Sequence, residues 1–172
     1  MIRRIALVGM MGAGKSVVGP ILAGRIGAPF LDLDERIEKA EGRSIPAIFA
    51  ERGESAFRAI ETERLREALE AGESVIATGG GVLLAGANRE LLRRWGRTVY
   101  LRAPVAVLAG RLGEGAGAGR PLLAGGPAEA RLASILAERA PFYEAADLAV
   151  DTEGRTPEEV AIRIEEWAND AV

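Results

Sequence analysis

The 172-residue chain contains no cysteine and no histidine. The first absence removes disulfides, thiolate zinc sites and cysteine nucleophiles; the second removes imidazole bases and most transition-metal sites. Serine-histidine and cysteine-histidine hydrolysis are excluded with them. A surplus of positive charge is also missing, since 22 Lys and Arg face 25 Asp and Glu, giving a formal charge of −3 and a pI near 5.3. No bulk field draws in nucleic acid or an anionic membrane, so neither is expected as a partner, and any bound anion must be held by local groups. Met1-Ile2-Arg3-Arg4 and the apolar residues 5–8 superficially resemble a secretory start, yet the stretch is short and runs into Gly12-Ala13-Gly14-Lys15 without a small-residue cleavage pattern. The longest uncharged run, residues 74–88, is interrupted by glycines and falls short of the roughly 18 residues a membrane span needs. The expectation is a soluble, cytoplasmic protein, and residues 1–172 read as one domain with no internal repeat or linker.

What the chain does have is a regular alternation. Short apolar runs at residues 5–8, 29–32, 75–78, 98–101 and 148–150 are of strand length. Between them lie stretches with helical spacing, such as residues 54–71, where Phe57, Ile60, Leu65, Ala68 and Leu69 mark one apolar face. Strands apolar throughout and separated by helices predict an α/β fold with a parallel sheet covered on both faces, and ligands at the strands' carboxyl ends. Thr156 as N-cap, Pro157 at the first helical position and Glu159 form a capping box that starts a last helix running to about Asp170. Residues 113–121, dominated by glycine and alanine, read as a mobile loop. Pro20 predicts a kink or an early-turn adjustment in the first helix.

Directly after the first strand, Gly9-Met10-Met11-Gly12-Ala13-Gly14-Lys15-Ser16 satisfies G-x-x-x-x-G-K-[ST] at every specified position. Its backbone N–H groups and the following helix N-terminus suit phosphate oxygens. Nucleotide contacts therefore fall on Gly12, Ala13, Gly14, Lys15, Ser16 and Val17, with Lys15 adding a full charge at the β- and γ-phosphates. The Ser16 hydroxyl is a ligand for Mg²⁺, which bridges the phosphates. A GTPase switch is disfavoured: neither Asn88 nor Asn169 opens an N-K-x-D, and the D-x-x-G at residues 151–154 follows the fifth strand.

Leu31-Asp32-Leu33-Asp34 ends the second strand, where residues two apart face the same side. Both carboxylates then enter one crevice, one suited to magnesium and the other to a hydroxyl. Arg58 lies among apolar positions of a helix, Gly79-Gly80-Gly81 follows a strand and permits close approach or positive φ, Arg120-Pro121 closes the glycine-rich loop, and Arg139 ends a helix just before Pro141.

In order and spacing, the P-loop, Asp32-x-Asp34, Phe57-Arg58, Gly79-Gly80-Gly81, Arg120-Pro121-Leu122-Leu123 and Arg139-Ala140-Pro141-x-Tyr143 resemble the shikimate kinase family over essentially the whole chain. The resemblance implies a P-loop NTPase fold of nucleoside-monophosphate-kinase type, a central five-stranded parallel sheet flanked by helices, and a mobile lid at about 113–126. It implies transfer of the ATP γ-phosphoryl group to the 3-hydroxyl of shikimate by a monomer. Asp34 would contact that hydroxyl and serve as base, leaving Asp32 with Ser16 for the metal. Arg58 and Arg139 would hold the carboxylate, while Gly79, Gly80 and Gly81 line the ring, supported by Phe49, Phe57 and Glu61. Arg120 would stabilise the transferring phosphoryl group, and Arg111 and Arg155 would flank adenine. The chain departs from the family in the longer, blander segment 114–119.

Overall fold

The structure, a computed structural model, describes residues 1–113 and 120–170. Five strands, β1 (Arg4–Val8), β2 (Phe30–Asp32), β3 (Ser74–Ala77), β4 (Arg97–Arg102) and β5 (Leu148–Asp151), form one parallel sheet in the order β2-β3-β1-β4-β5. Residues 5–8 of β1 and all of β3 are buried, which is why both read as unbroken apolar runs. In register, Leu7 lies between Ala77 of β3 and Val99 of β4. The chain leaves β1 toward β2 at one edge and leaves β3 toward β4 on the other side. The loops after β1 and β3 therefore diverge and open a crevice at the carboxyl ends of adjacent strands.

Helices α1 (Lys15–Ile26), α2 (Leu33–Glu41), α3 (Ile45–Glu70), α4 (Gly86–Trp95), α5 (Val105–Leu112), α6 (Ala128–Glu144) and α7 (Pro157–Asp170) flank the sheet. A single apolar core runs from Ile5 and Leu7 through Leu22, Leu65 and Val99 to Val160 and Ile164. The capping box of α7 forms as read: Glu159 N donates to Thr156 Oγ1 at 3.2 Å and Thr156 N to Glu159 Oε2 at 2.8 Å. No helix among the described residues is long and apolar enough to cross a membrane.

Four local readings change. First, β2 stops at Asp32, whose Oδ1 accepts from Asp34 N (3.0 Å) and Glu35 N (3.3 Å), making Asp32 the N-cap of α2. Asp34 thus sits in the first helical turn rather than on a strand. Second, α3 begins at Ile45 and breaks at Gly53 (φ 79°, ψ 173°), a conformation that favours glycine; the helix read over residues 54–71 is the part after this break. Third, α1 continues through Pro20. The residue before it is Gly19, which lacks the Cβ that would crowd the proline ring. Fourth, α6 runs past Pro141 to Glu144, so Arg139 lies inside a helix and not at its end. The expected lid falls partly on residues 114–119, which lie outside the described residues.

Gly19 has a second constraint. A Cβ there would overlap the ring of Phe30 on β2, at the joint between α1 and the sheet edge. Gly19→Ala gains helix propensity of up to about 1 kcal/mol but overpacks this joint by about 1–3 kcal/mol. The expected outcome is a Tm lowered by several degrees in calorimetry, with nucleotide binding retained.

Candidate active site

The loop after β1 wraps back so that α1 begins at Lys15. Its N-cap, Gly14, takes the left-handed conformation (φ 99°, ψ 14°), and its carbonyl accepts from Val17 N (3.1 Å) and Val18 N (2.8 Å); no side chain caps the turn, whose first residues, Lys15 and Ser16, line the crevice. Lys15 is buried, donating to the carbonyls of Gly9 (2.8 Å) and Met10 (2.9 Å). Burial pushes its ammonium down to about 8, with Asp34 and Asp32 acting in the opposite sense and Arg139 adding to the fall.

Asp32 divides its oxygens. Oδ1 caps α2, and Oδ2 accepts the Ser16 hydroxyl at 2.5 Å. Two hard oxygen donors therefore stand together beside the phosphate loop, the donor chemistry Mg²⁺ selects when phosphates and waters complete its shell. Asp34 is the other kind of carboxylate. Burial pushes it up to about 6; Lys15 pulls it down, while Asp32, Glu61 and Glu38 push it further up. A carboxylate tuned toward neutrality can take a proton from a hydroxyl at working pH.

Beyond Asp34 lies a pocket built by α2, α3, the loop after β3 and α6. Arg58 Nη1 donates to Glu61 Oε2 at 2.8 Å, and the rings of Phe49 and Phe57, on either side of the Gly53 break, meet at 4.7 Å. Glu61 is 1% exposed, and burial pushes its carboxyl up despite the arginine beside it. Arg139 is buried at 4% exposure. Arg58 Nε, Glu61 Oε1 and Arg139 Nε are buried polar atoms without a hydrogen-bond partner among the described residues.

The three glycines explain themselves by space. None has positive φ. A Cβ on Gly79 would stand 2.6 Å from Glu61 Oε1 and 3.1 Å from Asp34 Oδ1; one on Gly80 would meet Arg139 Nη1 at 3.3 Å; one on Gly81 would overlap the Arg58 guanidinium. The positive-φ reading does not hold, and the space that the missing Cβ atoms leave is taken by protein side chains. Asp34, Arg58, Glu61 and Arg139 all come close to this bare stretch of backbone.

Two cavities result, of about 640 and 530 Å³. The first is lined by Gly12, Ala13, Gly14, Lys15, Ser16, Val17, Arg111, Arg120 and Arg155, the second by Arg58, Glu61, Gly79, Gly81 and Arg139. Met11, Ser16, Asp32, Asp34, Gly80 and Arg120 line both, so the cavities adjoin at the carboxylate pair. All the site residues read from the sequence thus come together in one crevice. Arg111 is fixed there by donating to Thr152 Oγ1 (2.8 Å) and the Thr152 carbonyl (2.9 Å). Thr152, Met11 and Glu38 had no signal in the sequence, and Pro157 read only as a helix start.

A sequence model of the family described as shikimate kinase matches residues 11–169. A shikimate kinase of Thermodesulfovibrio yellowstonii is 45% identical over 162 residues, spanning 94% of this chain and 92% of that protein. A solved shikimate kinase from Acinetobacter baumannii in complex with shikimate superposes with a TM-score of 0.93 at 38% identity, covering 99% of this chain and 95% of that one. A gluconokinase from Sinorhizobium meliloti shares the fold, with a TM-score of 0.64 at 23% identity over 98% of this chain and 94% of that one.

Proposed function

The chain belongs to the shikimate kinase family, and we propose that its two adjoining cavities divide the work of one phosphoryl transfer. The enzyme moves the γ-phosphoryl group of ATP to the 3-hydroxyl of shikimate, giving shikimate 3-phosphate and ADP. The observation that carries this reading is the shared wall: Asp34 and Arg120 line both the phosphate-loop cavity and the arginine pocket.

ATP enters the first cavity, its phosphates on the loop of residues 12–17 and on Lys15, its adenine beside Arg111 and Arg155. Ser16 and Asp32 would hold Mg²⁺, which when bound would disperse the negative charge of the phosphates. Shikimate enters the second cavity with its carboxylate on Arg58 and Arg139. An acidic protein needs such a guanidinium clamp for an anionic acceptor, because two parallel N–H···O bonds fix orientation as well as charge. That clamp presents the 3-hydroxyl to Asp34, which takes its proton. Lys15 and Arg120 stabilise charge on the transferring group. The site residues named here belong to one chain, and the large exposed apolar residues among the described ones, Met1, Val17 and Ile162, are far apart in sequence. A monomer fits these features.

The test is ADP release coupled to a spectrophotometric readout with Mg-ATP. Shikimate should accelerate turnover far above the hydrolytic background, and gluconate or nucleoside monophosphates should not. Acceleration by gluconate alone would move the chain to a different acceptor. The pH profile is a second check. Asp34 must be ionised and Lys15 charged, so kcat/KM should rise through about pH 6 and fall through about pH 8. An acid limb near pH 4 would remove Asp34 from the proton step.

A further inference from the structure

The stretch from Gly79 to Leu84 carries the acceptor pocket's arginines on its front but anchors nothing by side chains of its own at the three glycines. Its carbonyls are held from behind. The Tyr143 hydroxyl donates to the Gly80 carbonyl. Asn88 Nδ2, buried at 1% exposure, donates to the Val82 carbonyl at 2.9 Å. Arg89 Nη1 donates to the carbonyls of Leu83 (2.5 Å) and Leu84 (3.0 Å), its guanidinium lying over the Phe142 ring at 4.5 Å.

Resting on the functional reading above, we propose that Tyr143, Asn88 and Arg89 are positioning residues for the acceptor: they fix the backbone of residues 79–84 so that Arg58 and Arg139 meet the substrate carboxylate in register. Tyr143 stands one turn beyond Arg139 on α6, and both side chains are buried. The same hydroxyl lies 3.7 Å from Met10 Sδ, in the loop whose carbonyls hold Lys15. Its ring stacks on Tyr100 of β4 at 5.1 Å, which pins the phenol to the sheet. Burial pushes this phenol up to about 12, so it remains a donor throughout the neutral range. Asn88 and Arg89 do the same from α4, and the stretch's own hydrogen bonds, Val82 N to Gly79 O and Leu84 N to Gly81 O, depend on the shape so imposed.

The experiment compares Tyr143→Phe, Arg89→Met and Arg89→Lys with the parent enzyme. Tyr143→Phe deletes one hydroxyl and keeps the stacking ring. We expect KM for shikimate to rise about tenfold, KM for ATP to stay within about twofold, and the Val82 and Leu84 amides to exchange with deuterium about tenfold faster. Arg89→Met should behave alike, and Arg89→Lys, which keeps a charged donor, should recover much of the loss. Should Tyr143→Phe fail to fold, the Arg89 pair at a half-buried site carries the comparison. Unchanged exchange at Val82 and Leu84, or faster exchange with an unaltered KM for shikimate, would overturn the positioning role. Parent enzyme without shikimate-dependent turnover would instead refute the functional reading, and the acceptor role with it, whatever the exchange shows.

Discussion

Asp34→Asn should lower kcat by about two to four orders of magnitude and at the same time leave the substrate-free protein more stable at pH 8. The activity loss follows from the role proposed for Asp34, at the junction of the two cavities, as the group that accepts the hydroxyl proton. The stability gain follows from the sign of the Asp34 shift. Its carboxyl is pushed up from 3.8 to about 6 in the folded state, so the folded protein binds this proton more tightly than the unfolded chain does. Ionised Asp34 therefore weighs against folding above about pH 6, and that penalty vanishes as pH falls toward 3.8. Asparagine carries no such penalty. Two units correspond to about 3 kcal/mol at most, and about 1–2 kcal/mol is the reasonable expectation for a half-buried group. Chemical denaturation of both proteins at pH 8 and pH 4 checks it: the variant should lead at pH 8 and lose the lead at pH 4. The acid limb of the pH–rate profile should also disappear from the residual activity.

Truncating the proposed guanidinium clamp should act on the other substrate. Arg139→Ala and Arg58→Ala are each expected to raise KM for shikimate by a factor of about 30 to 1,000, corresponding to about 2–4 kcal/mol for a desolvated charge pair, while KM for ATP barely moves. The two differ in their effect on folding. Arg58 is the hydrogen-bonded partner of Glu61, whose carboxylate is 1% exposed. Removing the arginine leaves that charge buried and uncompensated, so Arg58→Ala should also lower Tm, whereas Arg58→Ala combined with Glu61→Gln should regain part of it. Arg139→Lys should remain well below the parent enzyme, because an ammonium cannot reproduce two parallel hydrogen bonds. Steady-state kinetics with each substrate varied separately checks this. Equal effects on both KM values would assign the arginines to general structure.

How far these residues could be read without coordinates depended on the range of the physics involved. The phosphate loop and the five strands were legible because each is specified by a few adjacent residues: glycines with Lys15 and Ser16 after a run that is apolar on both faces. The arginines were legible only as members of an ordered set, since nothing local separates Arg58 from a solvated helix position; its meaning lies in Glu61, Phe57 and Gly81, which the fold brings to it. The end of β2 was misread although a signal was present. Asp32 followed by Glu35 is a helix-start pattern, and it competes with the strand periodicity of Leu31-Asp32-Leu33-Asp34. The capping hydrogen bonds win, yet Asp34 still reaches the crevice, now from a helix turn. The run of α6 through Pro141 is of another kind: Arg139 and Tyr143 straddle the proline and are both buried, Tyr143 against Tyr100, so tertiary packing overrides a local helix breaker. Tyr143, Asn88 and Arg89 show the remaining limit. Their partners are backbone carbonyls 63, 6 and 5 or 6 residues away, and no side-chain pattern in the sequence marks a carbonyl as needing a donor.

In the proposed reaction one crevice sets a triphosphate on Lys15 and an acceptor acid on Arg58 and Arg139 so that Asp34 meets the alcohol between them. A crystal of the enzyme grown with ADP, magnesium and shikimate tests it most directly. Density for the shikimate carboxylate should lie within hydrogen-bond reach of both arginines, with its 3-hydroxyl on Asp34 and the ADP phosphates on residues 12–17. Shikimate found away from Arg139, or with its ring turned so that no hydroxyl faces Asp34, would contradict it.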